Sequence, residues 1–268
     1  MSVFTLDSQA VTKRLYRDFF TPSKYEVRSG EQTILDNGNR SRLSFLDGKL
    51  ALTTWGPDSA PAVLLMHGWG GSRAQMTGFV EPLLDAGFRV IAYDQPAHGE
   101  SNGKTTNILE IAATMDLIMQ QHGRFEAVIA HSFGTLVTTY SCVIGNFIPP
   151  SKLVYFGAFN RLMDALPRFQ AATQLPEEMI HPLRRMIDKN LGEYVLRTIN
   201  HDELVKNLNV PALMFHDRSD NVTPMEDSRK IAQAWRSARY IETDGLGHRG
   251  ALQSRKIHEQ VVGFLKQK

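Results

Sequence analysis

A serine stands between a short apolar run and a helix-sized stretch, where it could act as a nucleophile. Residues 127–130 read as a buried strand, residues 135–144 read as a helix, and between them lies Ala130-His131-Ser132-Phe133-Gly134. A sharp strand-to-helix turn pushes its serine above the sheet edge and needs small residues two positions before and after it. The helix start also offers backbone N–H groups to a developing oxyanion. The alternative is a purely structural role, in which the serine only caps the helix.

Three further groups of polar and glycine residues also follow short β-rich runs. They are His67-Gly68-Trp69-Gly70-Gly71, the loop 94–101, and the pair of late loops 216–224 and 245–248. The carboxyl ends of parallel strands meet at one edge of a sheet, which is where open α/β sheets bind ligands. We therefore expect all of these loops to lie at the same edge as Ser132.

Strand-like and helical stretches alternate along the chain, which predicts an α/β fold with a mainly parallel sheet. A hairpin is expected around Asp47-Gly48. Asn107 can cap a helix that Gly123 ends. The β-rich runs are 62–66, 89–93, 127–130, 153–156, 212–215 and 239–242, and the other helical stretches are 11–20, 74–86, 225–236 and 254–266.

The connection between residues 156 and 210 is far longer than an ordinary crossover. It reads as short helices over 161–173, 176–189 and 191–199, broken by Pro167, Pro176 and Gly192. Because it follows the carboxyl end of a strand, the segment is interpreted as an inserted helical cap above the site. The alternative is additional structure elsewhere on the surface.

Composition narrows the function classes. The 268 residues are 42% hydrophobic and 22% charged, as in a soluble globular protein, and the net charge of +2 does not support nucleic-acid binding. The single cysteine, Cys142, excludes an intramolecular disulfide and a cysteine-based metal site within one chain. There is no secretory signal at the N-terminus and no apolar run long enough for a membrane span, so a cytoplasmic protein is expected.

The motif order resembles the α/β-hydrolase superfamily over residues 42–268. The order is oxyanion loop, D-x-P-x-H-G-x-S loop, serine turn, cap, acid loop and histidine loop. The chain is most similar to uncharacterised bacterial esterase-like serine hydrolases with a short helical cap. The resemblance implies a mostly parallel central sheet with helices on both faces. It divides the chain into an N-terminal extension (1–41), a core (42–159 and 206–268) and a cap (160–205).

The resemblance also implies a catalytic triad of Ser132, Asp220 and His248. Ser132 would be the nucleophile, His248 the base and later the acid, and Asp220 the group that fixes the His248 tautomer. Asp220 matches a D-x-V-x-P segment at residues 220–224. Asp217 is a rival for the acid, and Asp244 is a weaker one.

The remaining site residues follow from the same resemblance. The backbone N–H groups of Trp69 and Phe133 would form the oxyanion hole. Substrate contacts are expected from the side chains of Trp69, His131, Met163 and Met186, the last two from the apolar side of the cap. His216 could line the site or support its loop, and the other helical or cap histidines, His122, His181, His201 and His258, are expected to be solvated.

The function predicted from these residues is hydrolysis of small or medium-sized carboxylic esters through an acyl-enzyme, without metal or organic cofactor. Thioester, lactone or amide hydrolysis and acyl transfer would use the same residues. A ligand receptor on a hydrolase scaffold is the non-enzyme alternative, because a fold alone does not define a function. A small-molecule substrate is the only partner predicted, and the number of subunits is left open.

Overall fold

The computed structural model describes residues 4–192 and 195–267, in which eight strands form one sheet. The strands are β1 (Asn39–Phe45), β2 (Gly48–Trp55), β3 (Ala62–Met66), β4 (Arg89–Tyr93), β5 (Ala127–His131), β6 (Lys152–Phe156), β7 (Ala212–Asp217) and β8 (Ala238–Thr243). Their order across the sheet is β1-β2-β4-β3-β5-β6-β7-β8. The first two strands are antiparallel and the six that follow are parallel.

Helices cover both faces of this sheet. The described helices are α1 (Phe4–Phe19), α2 (Ser29–Asp36), α3 (Val80–Asp85), α4 (Ile108–His122), α5 (Phe133–Val143), α6 (Ala165–Thr173), α7 (Glu177–Leu191), α8 (Val195–Thr198), α9 (His201–Leu204), α10 (Met225–Ala234), α11 (Gly247–Gly250) and α12 (Arg255–Lys266). Short 3-10 segments occur at Arg73–Phe79, Leu162–Asp164, Val205–Asn207 and Ala251–Gln253. None of the helices within the described ranges is long and apolar enough to cross a membrane.

The inner strands divide the hydrophobic core into two layers. Successive side chains of a strand point to opposite faces, so Leu64 packs with α4, α5 and α10, whereas Val63 and Leu65 pack with α3 and α12. Both layers are buried from solvent, which explains why β3 to β7 read as nearly continuous apolar runs. The α/β-hydrolase fold that the motifs imply is the fold observed.

Two local elements form where the sequence predicts them. The predicted hairpin forms between the antiparallel strands β1 and β2, but its two turn residues are Leu46 and Asp47, since Gly48 already pairs with Phe45. The Asn107 side chain accepts hydrogen bonds from Leu109 N at 2.9 Å and Glu110 N at 3.1 Å, which caps α4. Gly123 follows α4 with a φ of 81°, where a residue with a side chain would be strained.

The long connection after β6 folds into helices α6 to α9. Pro176 and Gly192 flank α7, as expected, but Pro167 does not break α6. Pro167 is the third residue of α6 and Pro182 lies inside α7. The first turn of a helix has backbone N–H groups without helical partners, so proline at that position removes no hydrogen bond. The interruption after Thr173 instead occurs at Gln174, which adopts a left-handed conformation.

The N-terminal residues divide between two parts of the structure. Helix α1 packs against α7, and the rings of Phe19 and Phe169 meet edge to face with centroids 5.3 Å apart. Helix α2 contacts the sheet instead, where Trp55 Nε1 donates a hydrogen bond to Ile34 O at 2.9 Å. Helix α1 therefore extends the layer of cap helices, whereas α2 packs against the sheet.

His201 joins this helical layer to the sheet. Its ring is buried and lies 2.8 Å from Thr139 Oγ1 and 3.2 Å from Phe159 O. Burial lowers the pKa of His201 to about 4, so the ring is neutral near neutral pH. The expectation that His201 and His258 are solvated is wrong, because both side chains are buried and hydrogen-bonded.

Candidate active site

Ser132 occupies a strained turn between β5 and α5. Its φ of 50° and ψ of −120° are rare for a residue with a side chain, and such strain costs about 1–3 kcal/mol. The backbone holds it there, because Ser132 N donates to Phe156 O at 2.8 Å. A Cβ at position 134 would lie 2.6 Å from His67 O, so only glycine fits two residues after the serine.

Asp220 and His248 come together at the same edge of the sheet. His248 Nδ1 lies 2.7 Å from Asp220 Oδ2, and the aspartate side chain is buried. Asp220 Oδ1 accepts hydrogen bonds from Val222 N at 2.8 Å and Thr223 N at 3.0 Å, and Oδ2 accepts one from Thr223 Oγ1 at 2.9 Å. The carboxylate is thereby fixed in one orientation, with Oδ2 towards His248.

His216 supports this carboxylate from behind. Its Nε2 lies 3.1 Å from Thr223 O and 3.3 Å from Asp220 Oδ2, so two acceptors require a proton on that nitrogen. Its Nδ1 lies 2.7 Å from Ser228 Oγ. Burial raises the pKa of Asp220, but hydrogen bonds from His216 and His248 outweigh burial and hold that pKa well below its usual value.

Asp217, the rival for the acid, instead holds together the loops that carry Asp220 and His248. Burial raises the pKa of Asp217, but hydrogen bonds from Ser219 and Thr243 outweigh it and hold that pKa at about 2. Asp244, the weaker rival, is exposed. The donors to the Asp217 carboxylate, at 2.5–3.1 Å, are Ser219 N and Oγ, Thr243 Oγ1, Leu246 N and Gly247 N.

Asp217→Asn should displace the histidine loop. One carboxylate oxygen accepts from Leu246 N and the other from Gly247 N, so either orientation of an amide sets its NH₂ against a backbone N–H. Hydrogen bonds to charged groups contribute about 1.5–3 kcal/mol, so we expect kcat to fall about tenfold to a hundredfold through misplacement of His248. Steady-state kinetics with Asp244→Asn as the control would test this, and an unchanged kcat would contradict it.

Two neutral histidines fix the glycine-rich turn after β3. His67 Nδ1 donates to Gly68 O at 2.8 Å and its Nε2 accepts from Gln95 N at 3.1 Å, while His98 Nε2 accepts from Gly70 N at 3.1 Å. Burial lowers the pKa of His67 to about 4 and that of His98 to about 3. A turn held in this way presents the backbone of Trp69 in one position.

A buried ion pair closes the loop after β4. Arg73 pairs with Asp94, which also accepts hydrogen bonds from Arg73 N at 2.7 Å and Glu100 N at 2.8 Å. Ser101 Oγ donates to Asp94 O at 2.6 Å, which ties the end of the loop to its start. Gly99 has a φ of 48°, and a Cβ there would overlap the Asp94 carboxylate. Asp94 and Ser101 thus hold the loop.

His131 braces His248 from the side of the serine turn. Its Nε2 lies 2.9 Å from His248 O, and the two rings are 4.6 Å apart. Because the carbonyl oxygen is an acceptor, His131 Nε2 carries the proton. Burial lowers the pKa of His131 to about 3, so the ring is a neutral part of the wall rather than a second base.

Neutral buried histidines predict a loss of stability in mild acid. The folded pKa values of His67, His98, His131 and His201 lie below the unfolded value of 6.5. The unfolded chain therefore binds more protons below pH 6.5, and the free energy of unfolding should fall by up to about 1.4 kcal/mol per pH unit for each histidine.

Urea denaturation between pH 7 and about 5 would measure this slope. His201→Gln should flatten the slope, whereas the exposed control His181→Gln should leave it unchanged. A free energy of unfolding that does not change over this interval would contradict the prediction.

The serine, the histidine and the glycine-rich turn share one cavity of about 630 Å³. Trp69 and His131 line it, as the sequence predicts, and the Trp69 ring packs edge to face on Phe133 at 5.5 Å. Met163 and Met186 are not among the described residues that line it, and Met163 lines a second cavity of about 510 Å³. The cavity lining therefore does not support the two methionine assignments.

Most of the cavity wall consists of residues that carry no motif. Phe19 and Phe20 come from the end of α1 and the residue after it, Ile108 begins α4, and cap residues complete the wall. The adjacent aromatic pair before Pro22 is the one signal in the sequence that could have indicated Phe19 and Phe20. The cap side is lined by Phe159, Leu162, Ala165, Arg168, Phe169, Ala172, Leu191 and Leu196.

Two family models and a curated bacterial esterase match parts of this sequence. Residues 61–143 match the family model described as the alpha/beta hydrolase fold, and residues 195–268 match the model described as TAP-like protein. The bifunctional esterase/perhydrolase DCH of Acinetobacter calcoaceticus is 22% identical over 266 residues, covering 79% of this chain and 94% of that protein.

Two solved esterase structures superpose on most of the chain. Esterase Pf2001 of Pyrococcus furiosus does so with a TM-score of 0.68 at 20% identity, covering 92% of this chain and 98% of that one. The esterase of Exiguobacterium antarcticum has a TM-score of 0.66 at 18% identity, covering 85% of this chain and 99% of that one. At these identities the superpositions show a shared fold.

Proposed function

We propose that this chain, which has the α/β-hydrolase fold, is a serine hydrolase that cleaves carboxylic esters of small or medium-sized acyl groups. The relatives named as esterases support the reaction class. The observation that carries the proposal is the 2.7 Å contact between His248 Nδ1 and Asp220 Oδ2, with His248 and Ser132 lining the same cavity.

The proposed mechanism begins with proton transfer from Ser132 to His248. Asp220 accepts the Nδ1–H of His248, so Nε2 is unprotonated and can act as the base. The Ser132 oxygen attacks the ester carbonyl, the alcohol leaves with the proton from His248, and an acyl-serine remains. Water, activated by the same histidine, then releases the acid.

Two backbone N–H groups would stabilise the negative charge on the tetrahedral intermediate. Phe133 is the first residue of α5, so its N–H has no acceptor within that helix. Trp69 lies in the turn closed by the hydrogen bond from Gly71 N to Gly68 O at 3.0 Å. A Cβ on Gly68 would lie 2.9 Å from Ser132 Cβ, so this turn closely approaches the serine. Each such donor contributes about a hundredfold to a thousandfold to kcat.

The cavity favours acyl groups of limited size. Its volume of about 630 Å³ is in the range of small-molecule sites, and its wall is mostly aromatic and aliphatic. An apolar acyl chain would displace water from this wall and lie beside the serine. Oxygen esters, thioesters and lactones with such chains form the panel on which turnover should be measured.

Covalent labelling tests the proposal directly. A fluorophosphonate should add once to the wild-type protein, and peptide mapping should find the adduct on Ser132, because only an activated serine reacts. Ser151→Ala, which changes an exposed serine, should label like the wild type. A folded wild-type protein that forms no adduct with this or a smaller probe would favour a ligand receptor.

A further inference from the structure

The candidate catalytic cavity has an unbalanced charge. Arg168 and Arg249 are among its described lining residues, and no aspartate or glutamate is. The rest of the wall is largely apolar, and charges in such a wall interact more strongly than in water. The described lining therefore carries two cationic side chains and no carboxylate, which an apolar acyl group does not need.

Arg168 is built into the cap side of the wall. It belongs to α6, and its guanidinium carbon lies 5.1 Å from the centre of the Phe159 ring. The Phe159 ring stacks on Phe133, with centroids 6.2 Å apart and planes 15° apart. Phe133 directly follows Ser132, so two stacked contacts connect the guanidinium to the residue beside the nucleophile.

The N–H groups of the Arg168 guanidinium have no hydrogen-bond acceptor among the described residues. Arg168 forms a long ion pair with Asp227 Oδ2 at 3.7 Å, which is too far for a hydrogen bond, and that oxygen accepts one from Asn160 N at 3.2 Å. Arg161, also on the cap, differs because Asp164 binds it at 2.9 Å. The side chain of Arg168 is only 34% exposed, so most of it is removed from solvent without a described acceptor.

We propose that the preferred esters carry a carboxylate at the far end of the acyl chain, and that Arg168 binds it. The inference rests on the proposed ester hydrolysis and names its substrate class. A guanidinium matches a carboxylate through two parallel N–H···O bonds, which favours an acid over a neutral chain end. Arg249, next to His248 at the cavity wall, would add to the attraction of an anion.

A series of chain lengths measures the reach from Ser132 to Arg168. An extended chain gains about 1.2 Å per bond, as the polypeptide does over three bonds per residue, so each further carbon in a linear diacid of about six to ten carbons extends that reach by this amount. Hydrolysis of its monoester consumes one water, breaks the acyl–oxygen bond, releases the alcohol and yields the diacid dianion with one proton.

Paired substrates test the inference. The monomethyl esters of adipate, suberate and sebacate would be compared with methyl hexanoate, octanoate and decanoate by measuring methanol release. We expect the wild type to favour each diacid monoester by about tenfold to a hundredfold in kcat/KM. Arg168→Met keeps the aliphatic stem and removes the charge, so the ratio of kcat/KM for each diacid monoester to that for its neutral partner should fall towards one. Arg185→Met, an exposed cap variant, is the control.

A binding measurement separates this inference from the proposed reaction. Calorimetry with monomethyl suberate and Ser132→Ala, with and without Arg168→Met, reports the anion site in the absence of turnover. Weaker binding in the double variant supports the inference even if no ester is cleaved. Equal binding of monomethyl suberate by the single and the double variant would overturn the inference. So would a preference for diacid monoesters in kcat/KM that is the same in the wild type and in Arg168→Met.

Discussion

Replacing Ser132 with alanine is expected to lower ester turnover by about 10⁶, to the residual rate that binding and the oxyanion donors alone supply. Ser132 Oγ makes no hydrogen bond to another described group, whereas its backbone N–H and carbonyl do. Alanine keeps both backbone contacts and the same strained φ. The variant should therefore fold with an unchanged melting temperature while kcat collapses.

The double variant Ser132→Ala/His248→Ala gives a sharper result. If the two side chains act as a unit, removing both costs about as much as removing either one. Measured kcat values that multiply would mean that His248 acts independently of Ser132. A single Ser132→Ala variant that retains wild-type kcat would remove this serine from the mechanism.

The sequence predicts the sheet well because burial leaves a simple pattern. The bounds 62–66 and 89–93 match β3 and β4 to the residue, since both strands are buried on both faces and each is followed by a polar residue, His67 or Asp94. The edge strand β8 is longer than the predicted run, since its partly exposed residues vary in polarity. The buried strand β7 also extends two residues beyond the predicted run 212–215, because it ends on the polar residues His216 and Asp217. Local composition therefore defines a strand best where the apolar run and the strand end together.

The cap is harder to predict because its boundaries depend on packing between helices. Pro167 predicts a break, yet its position in the first turn of α6 makes it harmless. The contact of α1 with α7 joins segments far apart in the chain, and no local pattern encodes it. The same reason explains why Phe19 and Arg168 were not predicted to line the cavity, whereas Trp69, next to a strand end, was.

The hydrogen bonds separate the roles of the two candidate acids. Asp217 ends β7 and Asp220 lies in the loop after it, and the D-x-V-x-P match favours Asp220. Asp217 accepts hydrogen bonds from Leu246 N and Gly247 N of the histidine loop, whereas Asp220 contacts the His248 ring. His216 could have lined the cavity, but its ring points at Ser228 and Asp220. The end of a strand fixes the backbone position of a residue, whereas tertiary contacts decide the direction of its side chain.

Asp220→Asn is expected to lower kcat by about 10⁴ through the wrong histidine tautomer. The surrounding donors decide how the amide is oriented. Val222 N and Thr223 N both donate to Oδ1, so the amide oxygen takes that position and the NH₂ group replaces Oδ2. That NH₂ would donate to His248 Nδ1, which moves the proton to Nε2 and leaves no base for Ser132.

Kinetics and labelling together test this mechanism. The variant should fold, because Oδ1 keeps its two backbone donors, and its fluorophosphonate labelling should slow in parallel with kcat, since both need an unprotonated His248 Nε2. Asp244→Asn, which changes an exposed side chain in the same region, should leave both the labelling rate and kcat unchanged. If Asp220→Asn retained kcat within tenfold while Asp217→Asn lost about 10⁴, the acid would be Asp217 and the assignment of Asp220 would be wrong.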